Sequence, residues 1–244
     1  MKQIIKYSLI LILVSFMSFS CDNDASNNNE EITGFTFTFD ETGSTIIDSS
    51  GNNYNASATG LSRVPGKIGK CIQFLGEGSA ISLEILYYFP FSDGFTFMAW
   101  LKFNEEVTDR QQIIGGWGSG FSYPIDNFGI SIVSDKISFE VPVDPNMISV
   151  TSSDLNIIAG EWFHIAISYN GDEVKFYKNG ESIGTSSLLT TFKDYSFRHQ
   201  IGYNYITYGG TTIDNQFYGY IDELIMKNEI YSVSEILNYY NSTK

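Results

Sequence analysis

Two Asn-Gly dipeptides, Asn170-Gly171 and Asn179-Gly180, stand nine residues apart and constrain the fold of this chain more than any other feature. Short strand-like runs flank both of them, at 162–169, 174–177 and 182–184. Asn-Gly supplies the two positive-φ residues of a type I′ turn, whose twist matches that of antiparallel strands. The spacing therefore predicts a three-stranded meander whose register is set by its turns.

Alternation of apolar and polar residues predicts further half-buried strands. It is clear at 35–39 and 95–103, and in two runs at 128–133 and 136–141 that Ser134-Asp135 joins as a hairpin turn. The chain holds 19 Phe, 16 Tyr and 22 Gly residues, a balance that favours strands and turns over helices. The pattern predicts one all-β domain of two packed antiparallel sheets.

One short helix is predicted near the end of the chain. Ser232 and Glu235 form a capping box, and Tyr231 and Ile236 can close a hydrophobic staple across it. The helix should run to about Tyr240 and pack inward through its apolar residues, which are Ile236, Leu237 and Tyr240.

Residues 1–20 predict export. Lys2 and Lys6 precede an apolar run at 7–17, which is too short for a permanent membrane span and is typical of a signal peptide. Ser18 and Ser20 suit an ordinary signal peptidase.

Two interpretations of the cleavage site remain open. Ordinary cleavage leaves Cys21 as the free first residue, whereas the alternative resembles a lipoprotein signal, after which Cys21 is lipidated. The polar, acidic stretch at 22–31 is typical of a solvated tether and favours the lipid. We therefore expect a signal peptide at 1–20, a disordered tether at 21–32 and a β-sandwich at 33–244.

Charge and cysteine content narrow the classes of partner. The net charge of −14 becomes −16 once Lys2 and Lys6 leave with the signal peptide, and such a surface repels phosphate backbones, so no nucleic-acid partner is expected. Cys71 is the one cysteine besides Cys21, and its strand-like setting predicts a small buried residue and no disulfide framework.

Six segments in order carry a family resemblance. They are 48–52, 64–74, 95–102, 161–180, 217–224 and the predicted helix. The second is close to a G-K-x-G-x-A-x-x-F opening, the third to an F-T-x-x-A-W-x-K strand and the fifth to an F-x-G-x-I-D-E strand. Together they resemble the laminin-G-like jelly-roll group of the concanavalin A-like lectin/glucanase superfamily.

The resemblance implies a jelly-roll β-sandwich with one short C-terminal helix, and binding of carbohydrate or of a protein partner. The N-terminus resembles that of lipoproteins of Bacteroidota-type bacteria, which implies anchoring on the outer membrane through lipid alone, with the domain exposed at the cell surface. We therefore expect a non-catalytic, surface-anchored protein that binds polysaccharide or glycan. The alternative is an adhesion or assembly module that binds a protein, and a glycoside hydrolase is least expected.

Catalysis is not expected because the paired carboxylates of the superfamily's glycanases are missing. Those enzymes use a Glu-x-Asp-x-Glu or Glu-x-Asp-x-x-Glu motif, since alternate strand residues share a face. The acidic pairs here, such as Glu105-Glu106 and Asp222-Glu223, are adjacent and should face opposite sides of a strand. Neither His164 nor His199 lies in a metalloprotease motif.

The resemblance also implies one structural calcium ion near the end of the first strand. Ca²⁺ takes about six to eight oxygen ligands from carboxylates, amides and main-chain carbonyls. Asp40 and Asp222 match by position, and Asp48, Gly51 and Asn53 could add oxygens. The alternative is that Asp222 accepts hydrogen bonds from loop amides without a metal.

Two loop regions could form the glycan site, where sugar C–H faces stack on aromatic rings beside polar groups. The first comprises Trp117, Phe121, Tyr123, Asp126 and Asn127, and the second comprises Tyr203, Asn204, Tyr205 and Tyr208. Trp100 and Trp162 fall in the family's strands and are expected in the core.

Overall fold

A computed structural model of the chain describes residues 33–76, 78–83, 93–117, 128–143, 146–188, 198–208 and 211–244. Within these ranges the chain forms 18 β-strands and one α-helix. The elements are β1 (Gly34–Phe37), β2 (Thr45–Ile46), β3 (Ala56–Thr59), β4 (Ser62–Pro65), β5 (Lys70–Leu75), β6 (Ala80–Leu83), β7 (Phe95–Lys102), β8 (Gln111–Trp117), β9 (Gly129–Val133), β10 (Lys136–Val143), β11 (Asn146–Thr151), β12 (Phe163–Tyr169), β13 (Glu173–Lys178), β14 (Glu181–Ser187), β15 (Arg198–Ile201), β16 (Tyr203–Tyr208), β17 (Thr211–Gln216), β18 (Tyr218–Lys227) and α1 (Val233–Thr243). The predicted signal peptide and tether, with Cys21, lie outside the described residues.

The strands form two large antiparallel sheets. The first has the order β14-β13-β12-β7-β18-β5-β4, with β1 also paired to β18, and the second has the order β11-β10-β9-β8-β15-β6-β3-β2. Strands β16 and β17 form a separate two-stranded ribbon. The predicted fold, a two-sheet antiparallel jelly-roll β-sandwich with one C-terminal helix, is confirmed.

The main core lies between the two large sheets. The inward residues of β7 and the loop after it belong to this core as their alternation predicted; they are Phe95, Phe97, Ala99, Leu101 and Phe103. The prediction that this strand is half-buried is wrong, because Met98 and Trp100 on its outer face are buried too. Helix α1 packs over that face through Ile236, which shares a second, smaller cluster with Met98.

The predicted meander is confirmed as β12, β13 and β14, each paired antiparallel with the next. Asn179 and Gly180 have φ values of 51° and 80°, as a type I′ turn requires. The type I′ prediction is wrong at Asn170-Gly171, where only Gly171 has a positive φ, of 95°. There the Asn170 side-chain oxygen accepts the backbone N–H of Glu173 at 2.8 Å and so closes the turn itself.

The predicted hairpin turn at Ser134-Asp135 is confirmed. Both residues have positive φ, 47° and 63°, and they join the paired strands β9 and β10. The Asp135 carboxylate also accepts the backbone N–H groups of Asn156 and Ile157, at 2.8 and 3.0 Å, which ties the turn to the chain before β12.

The predicted capping box of α1 is confirmed. Ser232 accepts the N–H of Glu235 with its side chain, and the Glu235 carboxylate accepts the Ser232 N–H at 2.7 Å. The helix ends at Thr243, later than predicted. Among the described residues no helix combines the length and apolar character needed to cross a membrane.

The inward face of α1 differs from the prediction at one position. Ile236 is fully buried and Tyr240 is half-buried, as expected, but Leu237 is 39% exposed. Tyr239 packs inward in its place, because the helix contacts the outer face of the first sheet along Ile236 and Tyr239.

Candidate ligand-binding site

A cleft of about 350 Å³ opens where β5 and β7 end and where β8 and β18 begin. Antiparallel pairing brings these ends together, with Tyr218 opposite Leu75 and Tyr220 opposite Lys102. We call it the Tyr218 cleft. Its lining residues are Gln73, Phe74, Leu75, Phe103, Asn104, Glu105, Glu106, Val107, Thr108, Gln111, Tyr218 and Gly219.

Tyr218 is a positioned but accessible ring in this cleft. Alternation along the chain buries Phe217 and Ile221 in the core and leaves Tyr218 on the outer face, where it is 51% exposed. Its backbone N–H donates to the Gln111 side-chain oxygen at 2.8 Å. Its ring lies against Gly76, since a Cβ there would come within 2.1 Å of the ring carbon Cε1.

A cluster of two rings and one lysine, Trp162, Lys102 and Tyr220, lies beside the cleft on the outer face of the first sheet. The Lys102 Nζ is 4.2 Å from the Tyr220 ring centroid and 5.0 Å from that of Trp162. The two rings are 6.2 Å apart and inclined at 60°. Both rings are half-buried, so each keeps some accessible surface.

The prediction that Trp100 and Trp162 are both buried holds only for Trp100. Trp100 is 2% exposed, but it lies beneath α1, where its indole N–H donates to Thr243 Oγ1 at 3.1 Å. Trp162 is not a core residue, because Phe163 takes the inward position at the start of β12 and Trp162 is left outside.

The predicted glycan residues fall in two places. Phe121, Tyr123, Asp126 and Asn127 lie outside the described residues, and Trp117 is the last residue of β8, paired with Arg198. The second group, Tyr203, Asn204, Tyr205 and Tyr208, lies on strand β16 and not on a loop, because β16 pairs with β17 as a ribbon. Tyr203 is half-buried.

Asp40 and Asp222, two of the predicted calcium ligands, hold the same turn. Asp222 Oδ2 accepts the backbone N–H groups of Lys67 and Ile68 at 2.8 and 3.0 Å. Asp40 Oδ1 accepts the N–H of Lys70 at 2.8 Å. These contacts match the alternative in which Asp222 binds loop amides.

The other three predicted calcium ligands lie in one loop after β2. Asp48 accepts the backbone N–H groups of Thr36, Ser50 and Tyr54, all at 2.9–3.0 Å, so its carboxylate fastens the loop to β1. Gly51 and Asn53 are exposed and have positive φ values of 95° and 60°.

The residues fit a calcium ion only in part. Carboxylate oxygens are the right kind of ligand for Ca²⁺, but those of Asp48 and Asp222 already accept hydrogen bonds from backbone N–H groups. In the described part of the chain, no group of three or more His, Cys, Asp or Glu residues could hold a metal ion. Calcium binding therefore stays a prediction.

Asp222 and Glu223 do not face opposite sides of the strand, contrary to the sequence prediction. The register of β18 with β7 shifts between Asp222 and Ile225, and Glu223 has a φ of 48°, which marks a β-bulge. As a result Glu223 accepts a hydrogen bond from the Tyr239 hydroxyl of α1 at 3.3 Å. Both carboxylates are buried, at 0% and 8% exposure.

Burial perturbs the pKa values of this region. It raises the pKa of Asp222 to about 7, against the opposing effect of the amides that donate to its carboxylate. Burial also raises the pKa of Glu223. Cys71, buried as predicted, has a pKa raised to about 12 by burial and by the nearby Asp222 charge.

His164 is a polar residue of β12 that is fully buried. It pairs with Trp100 across the sheet and lies beneath α1. Neither ring nitrogen has a hydrogen-bond partner, and burial lowers its pKa to about 3. The imidazole is therefore neutral and serves as a packing group, because no substrate can reach it.

The two packed sheets define a jelly-roll domain, and the comparisons with known proteins agree with this fold. The Laminin_G_3 family model, described as concanavalin A-like lectin/glucanases superfamily, matches residues 75–237. The chain belongs to this superfamily.

Similar proteins were found by sequence and by structure. Human pappalysin-1 is 23% identical over 194 residues, which cover 74% of this chain and 12% of that protein. The binding domain of Paraclostridial Mosquitocidal Protein 1 superposes with a TM-score of 0.65 at 18% identity, over 86% of this chain and 52% of that one. Domain 4 of AbnA, a GH43 extracellular arabinanase from Geobacillus stearothermophilus, superposes with a TM-score of 0.62 at 21% identity, over 85% of this chain and 98% of that one. These structural likenesses establish the fold.

Proposed function

We propose that this chain is a non-catalytic glycan-binding protein and that the Tyr218 cleft is its binding site. The observation that carries the proposal is the half-exposed Tyr218 ring, held against Gly76 at a cleft whose walls carry amides and carboxylates. An aromatic face beside hydrogen-bonding groups is what a sugar ring requires, since its C–H face stacks and its hydroxyls pair.

The comparisons support this class of function. AbnA domain 4 was solved in complex with arabinotriose, and the mosquitocidal protein fragment is a binding domain. The chain spans 12% of human pappalysin-1 and about half of the mosquitocidal fragment, so their whole activities do not transfer.

The burial of Asp222 and Glu223 supports a non-catalytic role. They are the described carboxylates whose pKa values are raised, as a glycosidase acid requires, but Asp222 is buried against the turn at 66–68 and Glu223 is buried beneath α1. A polysaccharide cannot reach a carboxyl group in that position.

The protein's location is part of the proposal. A lipid on Cys21 would anchor it to the bacterial outer membrane, and the acidic tether at 21–32 would present the domain at the cell surface. Mass spectrometry of the mature N-terminus tests this, because an acylated Cys21 supports the anchor and an unmodified one rejects it.

Glycan binding is tested with the protein lacking its signal peptide, by isothermal titration against arabinan, galactan, glucan and uronate polymers. Tyr218→Ala is expected to weaken binding by about tenfold or more, as for loss of a central aromatic contact. Trp117→Ala and Tyr205→Ala serve as matched controls from the loop regions predicted by sequence. Loss of binding only in these controls would place the site at the loop regions predicted by sequence. Binding to no glycan would reject the proposed function.

A second candidate function is binding to a protein partner. Ile230 and Val233 are 50% and 52% exposed beside a separate cleft of about 290 Å³, where β13 meets the start of α1. Exposed apolar side chains next to each other are typical of protein interfaces. Capture of a partner that is lost on Val233→Ser, with no glycan bound, would favour this candidate.

A further inference from the structure

We infer that the Tyr218 cleft selects uncharged, hydroxyl-rich glycans and rejects anionic ones. The inference deepens the proposed function and rests on it. It follows from the balance of hydrogen-bond donors and acceptors on the cleft walls and from their charge.

The walls and their margin offer hydrogen-bond acceptors that a sugar hydroxyl can use. The Tyr220 hydroxyl accepts hydrogen bonds from Gln73 Nε2 at 3.2 Å and Asn104 Nδ2 at 3.3 Å, so its own proton is left to donate. The same two contacts use one N–H of each amide, and no described residue donates to the amide oxygens of Gln73 or Asn104. A sugar hydroxyl can donate to such oxygens, whereas a carboxylate or sulfate brings only acceptors.

The negative charge of the walls also disfavours anionic ligands. Glu105 and Glu106 line the cleft, both are exposed, and among the described residues neither forms an ion pair. An anionic ligand would approach these carboxylates within about one Debye length, roughly 10 Å at 0.1 M salt, and be repelled.

Lys102 is a cation near the cleft, and its position limits how strongly it can attract an anionic ligand. Its Nζ lies over the Tyr220 ring at 4.2 Å and over the Trp162 ring at 5.0 Å. The ammonium is therefore already stabilised by two π faces. It also lies outside the set of residues that line the cleft.

The test compares one polymer in two charge states. Whichever neutral polysaccharide binds is oxidised at its primary hydroxyl groups to carboxylates, and both forms are titrated at low and high NaCl. The neutral form is expected to bind about tenfold tighter at low salt, with the gap closing as salt screens the repulsion. Tighter binding of the oxidised form, or of a uronate polymer alone, would overturn the inference and leave glycan binding intact.

Two variants identify the groups responsible. The double variant Glu105→Gln and Glu106→Gln is expected to narrow the difference in affinity between the oxidised and the neutral form, because the repulsion of the oxidised form is removed. Lys102→Gln is the matched control and should keep the neutral preference. An unchanged preference in the glutamine double variant would overturn the inference, and absence of binding to every polymer would reject the proposed function itself.

Discussion

The ring of Tyr218 lies against the backbone of Gly76, so close that a Cβ at position 76 would come within 2.1 Å of ring carbon Cε1. Gly76 also has a φ of 88°, a conformation that L-residues with side chains rarely adopt. The glycine therefore turns the chain after β5 and makes room for the ring. The candidate site depends in this way on a residue that has no side chain.

Gly76→Ala should displace the Tyr218 ring and weaken glycan binding by about tenfold, measured by titration calorimetry. Gly78→Ala is its matched control, because Gly78 has a similar φ of 75° but a Cβ there would meet nothing within 4 Å. Both changes carry a backbone strain of about 1–2 kcal/mol, and only the first should affect binding. Equal losses of affinity would show that Tyr218 is not the contact.

His164→Phe should remove part of the acid sensitivity of the fold. The folded protein keeps this imidazole neutral, with a pKa of about 3 in place of 6.5. Because the folded pKa is lowered, the associated stability is present above pH 6.5 and is lost as the pH falls towards 3. The loss is at most about 1.4 kcal/mol per pH unit.

The His164→Phe variant should also be more stable at neutral pH, by about 1–3 kcal/mol, since it removes two buried nitrogens that lack hydrogen-bond partners. Urea unfolding over a range of pH measures both effects. His199→Gln, which changes the other histidine of the chain, is measured beside it for comparison. If the Phe variant keeps the pH profile of the native chain, His164 is not the titrating group.

Asp222→Asn should cost more stability at acidic than at neutral pH. The folded pKa of Asp222 is raised from 3.8 to about 7, so the stability it contributes is fully present below pH 3.8 and is lost as the pH rises through 7. The amide variant does not titrate, and the difference in unfolding free energy from the native chain should therefore shrink between about pH 4 and 7. Asp172→Asn, an exposed carboxylate on the meander, is the control, and a difference that does not change with pH would contradict the prediction.

Ser232→Ala should lower the unfolding free energy by about 1 kcal/mol, the usual value of an N-cap, because the Ser232 hydroxyl that accepts the backbone N–H of Glu235 is lost. Thermal or urea unfolding measures the change. Asn238→Ala, at an exposed position of the same helix, should be neutral or slightly stabilising. A full-size loss at Asn238 would indicate that helix propensity, and not the cap, governs α1.

The predicted calcium ion should raise the thermal unfolding midpoint when added and lower it when removed by a chelator. At about 100 times its dissociation constant, a ligand that binds only the folded state adds about 2.7 kcal/mol of stability. Asp40→Asn should abolish the response, whereas Asp172→Asn should keep it. An unchanged midpoint with chelator and with excess calcium would leave Asp40 and Asp222 as acceptors for backbone amides only.

Much of the fold could be predicted because its signals are local. The hairpin at Ser134-Asp135, the turn at Asn179-Gly180 and the capping box at Ser232 each depend on residues close together in the chain. The prediction failed at Asn170 because its side chain offered an alternative hydrogen bond, which the Asn-Gly dipeptide alone does not reveal.

The candidate site could be predicted only in part. Alternation indicates which residues share a face of a strand, but not whether a helix or solvent covers that face. Trp100 and Tyr218 both lie on the outer face of the first sheet, yet α1 buries one and leaves the other 51% exposed.

The sequence by itself determined the all-β class, the main turns, the start of α1 and the inward Phe residues, because periodicity and turn chemistry act over a few residues. The tertiary structure decided where the cleft forms, since the ends of β5, β7 and β18 meet only through long-range pairing. It also brought Asp222 to Lys67, which lies 155 residues earlier in the chain. Hydrogen bonds and packing over such separations depend on the assembled sheets, and no local pattern records them.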